Sequence, residues 1–520
     1  MQKLRSLANT PMYPWIFAAY PALQLAAANL IQIDLQDIVR PLVFSWIMAT
    51  IGYMGLYLVF RRPEPTALVV LFGLIFFFTY GHVYYLLRDY PVGEFTFARH
   101  RYLMVAYALG LATTIWIARK IGPRLSNTSL WLNALTLALA FIPFVRIADH
   151  LIETNETARE VSKSSRELVE DAAATDDNLP DIYYIILDTY TRGDALERDY
   201  GYDNSWFLDG LSNLGFYVAT CSRSNYGETL TSLTSALNLD YIPQVGRRLA
   251  ELGLDANNVF VLLKQSLVRS QLEALGYRTV AFQTGFDWSD MQDADIYLSL
   301  ARKPLDLQRM SAFEALFIEN TAIKLLLDTQ YLLKIADFGA AGFRHRGHVE
   351  LQLNILEELP RIPSIEGPTF TFAHVLIPHT PFVFEANGEI VTDPRYYSGE
   401  RAGPINREYL IRGYRNEVAF VSQQMLEIAE ILLRQSDVPP VIIIQGDTGL
   451  ERDNKMQILN VYYAPLAAAE LYPAITPVNS FRIIFNAYLG MDFDLLPDIS
   501  YPKGDGEPSA PETAPNCESG

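Results

Sequence analysis

The run Pro180–Arg192, PDIYYIILDTYTR, differs from everything before it in the chain. Ile182–Leu187 is almost wholly apolar and rich in β-branched and aromatic residues, the composition of a strand buried on both faces. It ends at Asp188, and a carboxylate at the C-terminal end of a buried strand lies where open α/β sheets place their ligands. A second such run, Pro439–Gln445 (PPVIIIQ), ends in Gly446-Asp447.

Working outward, strand and helix patterns alternate. Gln265–Leu275 reads as a helix, Gly276–Thr284 and Thr369–Leu376 as strands, Arg407–Gln435 as a long one-sided helix and Val478–Leu489 as a closing helix. The alternation predicts an α/β domain, a mainly parallel sheet with helices on both faces.

The chain before Pro180 is of another kind. Five apolar runs, Tyr13–Ile33, Pro41–Phe60, Thr66–Leu87, Tyr102–Ala118 and Leu130–Val145, approach the ~20 residues a bilayer-crossing helix needs. Almost no charge interrupts them, which argues against both a soluble bundle and a transporter pathway. Lys3, Arg5, Arg61, Arg62, Arg119, Lys120 and Arg124 fall on one side of five crossings, and Arg40, Arg88, Arg99 and Arg101 on the other. This bias puts the N-terminus in the cytoplasm and everything after about residue 150 outside it. The expected domains are a transmembrane helical domain (1–150), a linker (151–180), an extracytoplasmic catalytic domain (181–502) and a disordered tail (503–520) rich in Pro, Gly, Ser and Glu.

Of the 520 residues, the first 150 carry 12 Lys/Arg and 6 Asp/Glu, and the remainder 29 and 53. So acidic a major part excludes nucleic acid as a partner. Two cysteines, Cys221 and Cys517, form neither a disulfide scaffold nor a thiolate metal site.

Ser224–Asn238, SNYGETLTSLTSALN, gathers hydroxyls and amides with no Lys or Arg. It reads either as an N-capped surface helix or as a turn presenting a hydroxyl nucleophile. Strand-end aspartates that converge would bind a hard or borderline divalent cation, and such a cation activates a hydroxyl and neutralises a transferring phosphoryl group. His374 and His379, within and just past a strand, are placed to donate to non-bridging oxygens.

Four segments, PDIYYIILD, SNYGETLTSL, HVLIPHTPF and IIIQGDTG, together resemble the sulfatase-like branch of the alkaline phosphatase superfamily. The likeness is greatest to its membrane-anchored lipoteichoic-acid synthases and phosphoethanolamine transferases, and it spans about Pro180 to Tyr501. It implies an alkaline-phosphatase/sulfatase-like fold after an all-α transmembrane domain of about five helices. It also implies one divalent metal ion (Mn, Zn or Mg), with Asp188 and Asp447 as ligands and Thr229 as both ligand and nucleophile, three residues before Ser232. The expected substrate is a lipid or glycan phosphodiester, with a phosphoglycerol- or phosphoethanolamine-type head group transferred or hydrolysed.

His379 matches a His-x-Pro-aromatic substrate element, while His374, Asn225 and Arg192 are further substrate-side candidates; Arg192 can equally pair with Asp194. The chain departs from the family in one place: the family's Gly-Asp-His-Gly is Gly446-Asp447-Thr448-Gly449 here, which leaves Thr448 as a weaker oxygen ligand. That departure keeps a catalytically degenerate membrane-anchored binding domain as the alternative. Cys221-Ser222-Arg223-Ser224-Asn225 only partly imitates the Cys-x-Pro-Ser-Arg signature of formylglycine sulfatases, the third reading.

Overall fold

A computed structural model describes residues 10–90, 98–121, 128–167, 179–255, 258–300, 310–328, 340–393, 396 and 407–502. The tail from Lys503, expected to be disordered, lies outside the described residues. The chain divides into two compact units, residues 1–152 with 307–344, and 153–306 with 345–520.

The first unit is helical. Its elements are α1 (Tyr13–Ala27), α2 (Val39–Phe60), α3 (Pro63–Asp89), α4 (His100–Ile121) and the N-terminal part of α5 (Thr128–Glu167). Among the described residues, four helices are long and apolar enough to cross a membrane: α3, α4, α5 and α2 with the 3-10 turn before it. The exception is α1, whose 15 residues at 1.5 Å each fall short of a ~30 Å hydrocarbon core. Ile47, Ile51, Met54 and Leu58 of α2 stand exposed. A water-soluble bundle would bury such a face, whereas lipid solvates it, and this is the helical part of an integral membrane protein.

The first unit also contains a piece that the sequence pattern does not reveal. Helix α6 (Ala312–Glu319), opened by a Ser311/Glu314 capping box, buries Phe313 and Phe317 in the cluster that holds Phe17, Leu74 and Phe78. Phe317 meets Phe78 at 5.6 Å between ring centroids, and Arg40 pairs with Glu314 at 3.4 Å. The expected continuous domain 181–502 is therefore interrupted: 307–344 belong to the helical unit. The expected linker begins as helix, since α5 runs unbroken to Glu167.

The second unit is built on a seven-stranded sheet, ordered β2-β7-β6-β1-β5-β3-β4. The strands are β1 (Ile182–Leu187), β2 (Tyr217–Val218), β3 (Arg278–Phe282), β4 (Ile296–Leu298), β5 (Thr369–Val375), β6 (Val441–Gly446) and β7 (Asn460–Tyr463). β4, β3, β5, β1 and β6 run parallel; β7 and β2 add antiparallel pairs at one edge. Every residue of β1, β5 and β6 is buried, so helices and loops cover both faces, as the apolar runs predict. The short β2, β4 and β7 are additional to the expected strands.

One face of β1, carrying Ile182, Tyr184 and Ile186, shares a core with Phe370, Phe372, Val441 and Ile443. Helices α7 (Thr229–Leu237), α8 (Leu267–Ala274) and α12 (Pro477–Leu489) close that core through Leu233, Leu272, Phe481 and Ile484. Between them in sequence lie α9 (Ile323–Asp328) of the helical unit, α10 (Ala340–Glu358) and α11 (Arg407–Gln435). Tyr414 and Ser422 of α11 reach the end of β1 through hydrogen bonds to the Thr189 carbonyl (2.7 Å) and the Tyr190 hydroxyl (2.7 Å).

Candidate active site at the strand ends

Register brings the two aspartates together. Leu187 pairs with Gly446, and Ile186 pairs with both His374 and Gln445. Asp188 and Asp447 follow in step on adjacent parallel strands, and the period of two turns them to the face that His374 shares. Glycine is required at 446 because a Cβ there would run into the Tyr190 carbonyl.

Thr229 is the first residue of α7, and Glu228 provides no side-chain cap. The first N–H groups of the helix are thus left for whatever binds beside Thr229. The Thr229 side chain lies close enough to the Asp447 carboxylate to favour its charged form. Three residues on, one helical turn later, Ser232 is fully buried; its hydroxyl donates to the Asp447 carbonyl at 3.0 Å and meets the Ser224 hydroxyl at 2.8 Å. The spacing between Thr229 and Ser232 therefore has a physical reason: Ser232 pins the helix to the end of β6, so Thr229 faces the carboxylate.

Thr189, immediately after Asp188, adopts φ 62°, a left-handed conformation rare for a β-branched residue. Its N–H donates to Asp447 Oδ1 at 2.8 Å, while its buried hydroxyl has no protein partner. Asp188 Oδ1 and Asp447 Oδ2 are also buried without a hydrogen-bond partner.

Electrostatics separates the two acids. Burial opposes the Asp188 charge, but His379, His374 and His348 outweigh it and hold its carboxyl below the usual range. Burial and then the Asp188 charge push Asp447 up to about 6, against His374, the Thr229 side chain and the hydrogen bond from the Thr189 amide.

His374 lies 3.7 Å from Asp188 through Nε2, against the Trp288 ring (centroids 5.6 Å), with both ring nitrogens buried and Nδ1 unpartnered. His379 is exposed, and its Nδ1 donates to the Thr380 carbonyl at 2.6 Å, which leaves Nε2 open. Thr448 is buried directly after Asp447.

Two expected pocket residues are committed elsewhere. Arg192 is buried and gives Nε and Nη2 to Asp194 (2.6 and 2.8 Å) and Nη1 to the Ser222 carbonyl (3.1 Å). The Asn225 amide donates to the Ile499 carbonyl (2.9 Å) and accepts from the Val478 N–H (2.9 Å). Both hold loops in place; these bonds leave Arg192 two N–H donors and Asn225 one. Cys221, the first residue of the partial formylglycine signature, is buried.

His348 of α10 was not singled out by any sequence motif, yet it lies within electrostatic reach of Asp188 and His379. Burial first, then His379, lower its pKa to about 4.

The oxygen donors fit a divalent cation: two buried carboxylates with unmet acceptor atoms, and a threonine hydroxyl against one of them. Among the described residues no group of three or more His, Cys, Asp or Glu is arranged to hold a metal, so any such site depends on hydroxyls to complete it.

No family model matches the chain, and no curated protein matches it. Among solved structures it is similar to the C-terminal periplasmic domain of EptC from Escherichia coli in complex with zinc, at 12% identity and TM-score 0.42, covering 65% of this chain and 94% of that one. It is also similar to the integral membrane lipooligosaccharide phosphoethanolamine transferase A from Neisseria meningitidis, at 12% identity and TM-score 0.33, covering 88% and 87%. A 2-O GAG sulfatase matches at 12% identity and TM-score 0.35, covering 61% and 72%. The solved structures that this chain is similar to thus include a phosphoethanolamine transferase and a sulfatase.

Proposed function

We propose that the protein is a membrane-anchored, sulfatase-like phosphotransferase or hydrolase acting on lipid or glycan phosphodiesters, with Thr229 as nucleophile. The observation that carries this reading is Thr229, at a helix N-terminus, close to the Asp447 carboxylate, which lies beside Asp188 at the ends of adjacent parallel strands.

In this reading Asp447 takes the Thr229 proton as Oγ attacks phosphorus. The O–P bond to threonine forms, the bond to the leaving alcohol breaks, and the leaving alkoxide takes a proton on the solvent side, where His379 is exposed. His374 and His379 donate to the non-bridging oxygens, and the uncapped N–H groups and dipole of α7 favour the accumulating negative charge. Water or a glycan or lipid hydroxyl then attacks phosphorus and the bond to threonine breaks; the proton held on Asp447 returns to the Thr229 oxygen, and the proton of the attacking hydroxyl leaves to solvent, balancing the one taken by the leaving alcohol.

Asp188, Asp447 and Thr229, with Thr448 adjacent, would hold the divalent cation, which when bound supplies positive charge for the alkoxide and the phosphoryl group. An all-oxygen donor set favours magnesium or manganese over zinc.

In this reading the second unit is extracytoplasmic. Taken with the cytoplasmic bias of the loop charges, that placement calls for five crossings, one more than the four described helices long enough to span.

The test is hydrolysis of bis(p-nitrophenyl) phosphate by purified protein with added manganese. Thr229→Ala is expected to abolish it, and full retention of activity would sink the mechanism. The Gly-Asp-Thr-Gly sequence favours one second reading, a degenerate binding domain. Stoichiometric metal in wild type that is lost in Asp447→Ala speaks for catalysis; no metal at any pH speaks for the binding domain.

A further inference from the structure

Helix α10 contributes a face to the site that no strand-end motif marks. On it, Gln352 is fully buried and its Oε1 accepts from the Leu376 N–H at 2.7 Å, just past the end of β5. His348 lies four residues earlier, one turn back on the same face. It is in electrostatic contact with Asp188 and His379. Its Nε2 is buried without a partner, as are Gln352 Nε2 and His374 Nδ1, while His374 Nε2 faces Asp188 at 3.7 Å.

We propose that His348 is a substrate-contacting residue whose imidazole Nε2, beside Gln352 Nε2 and His374, binds a non-bridging oxygen of the phosphoryl group. The proposal rests on the phosphodiester reading above and adds a side chain to it from an element outside the motifs.

The chemistry of these unpartnered atoms selects the ligand class. A carboxamide NH₂ can only donate, and an imidazole supplies a donor from whichever nitrogen bears the proton. Buried donors without partners are costly, at ~1–3 kcal/mol each, so the wall is complete only when an acceptor-rich group sits against it. A tetrahedral phosphoryl group presents such oxygens.

The experiment uses the full chain in detergent, with inorganic phosphate as the probe and isothermal titration calorimetry as the readout. His348→Ala is expected to weaken phosphate about tenfold, the loss of one hydrogen bond, and His348→Gln to recover most of it by presenting an amide N–H at similar reach. Phosphate affinity that is unchanged in both variants, or undetectable in wild type, overturns the proposal. A fall in melting temperature with unchanged affinity also overturns it, because it makes His348 merely structural. Thr229→Ala separates the two readings. If it retains full phosphodiester cleavage while phosphate binding still depends on His348, the nucleophile assignment fails and His348 stands.

Discussion

Thr189→Gly is expected to make the protein more stable and less active. Thr189 holds φ 62°, which costs a β-branched residue ~1–2 kcal/mol, and its buried hydroxyl lacks a protein partner at ~1–3 kcal/mol. Glycine removes both costs and keeps the two backbone bonds, from the Thr189 N–H to Asp447 and from the Tyr414 hydroxyl to the Thr189 carbonyl. Against this stand ~0.5–1 kcal/mol of extra chain entropy in the unfolded state and ~0.8 kcal/mol for the lost methyl group. The balance is a gain of about 2 kcal/mol, or about 3 °C in melting temperature for a unit of this size. Near-UV circular dichroism during heating of the detergent-solubilised chain would read it. Thr189→Ala divides the effect, since it removes the hydroxyl but keeps the strained φ; it should fall below glycine in stability. Turnover should drop several-fold in Thr189→Gly, because the amide aimed at Asp447 is then held by a freer backbone. If glycine lowers stability by 1 kcal/mol or more, the Thr189 hydroxyl has a ligand and the strain argument is refuted.

Ser232→Ala should cost ~1–3 kcal/mol of stability and at least about tenfold in turnover, because it cuts the tie between α7 and the Asp447 carbonyl. Ser235→Ala, on the same helix but bonded to the Asp240 carbonyl, is the comparison: similar destabilisation with activity intact. Equal loss of turnover in both would remove Ser232 from the role of positioning Thr229. Glu417, fully buried, accepts from the Val383 and Phe384 N–H groups behind the His379 loop, and burial raises its pKa well above the usual carboxylate range. A raised folded-state pKa means its contribution is complete below the unfolded value and is lost as pH rises toward the folded one. Glu417→Gln, which keeps the acceptor oxygen, should therefore melt higher than wild type by a margin that widens from pH 5 to pH 8. A constant margin, or wild type becoming relatively more stable as pH rises, contradicts a protonated Glu417.

Much of the architecture was legible because burial leaves its pattern in composition. Ile182–Leu187 and Val441–Gly446 are apolar on both faces and could be read as central parallel strands, and each ends in the aspartate that the site uses. Arg407–Gln435 carries enough helical periodicity to be read over its full length. The strands β2 and β4, of two and three residues, are too short to carry a period, and their pairing comes from neighbours already in the sheet. Helix α6 was equally hidden: AFEALFIE reads as any short helix, and only the contact of Phe317 with Phe78 assigns it to the helical unit.

The site divides along the same line. By itself the sequence determined which carboxylates end the buried strands, which stretch carries the hydroxyls, and that a threonine stands where an imidazole was expected, because these are matters of residue type and local pattern. Only the tertiary structure decided that strand register sets Asp188 beside Asp447, that Ser232 ties the Thr229 helix to the Asp447 carbonyl, that Arg192 and Asn225 bond to loops, and that His348 lies within electrostatic reach of Asp188. The physical reason is range. Strand and helix periods are written within a few residues, whereas these contacts join positions 30 to more than 200 residues apart, and a hydrogen bond between them leaves no mark on the sequence around either partner.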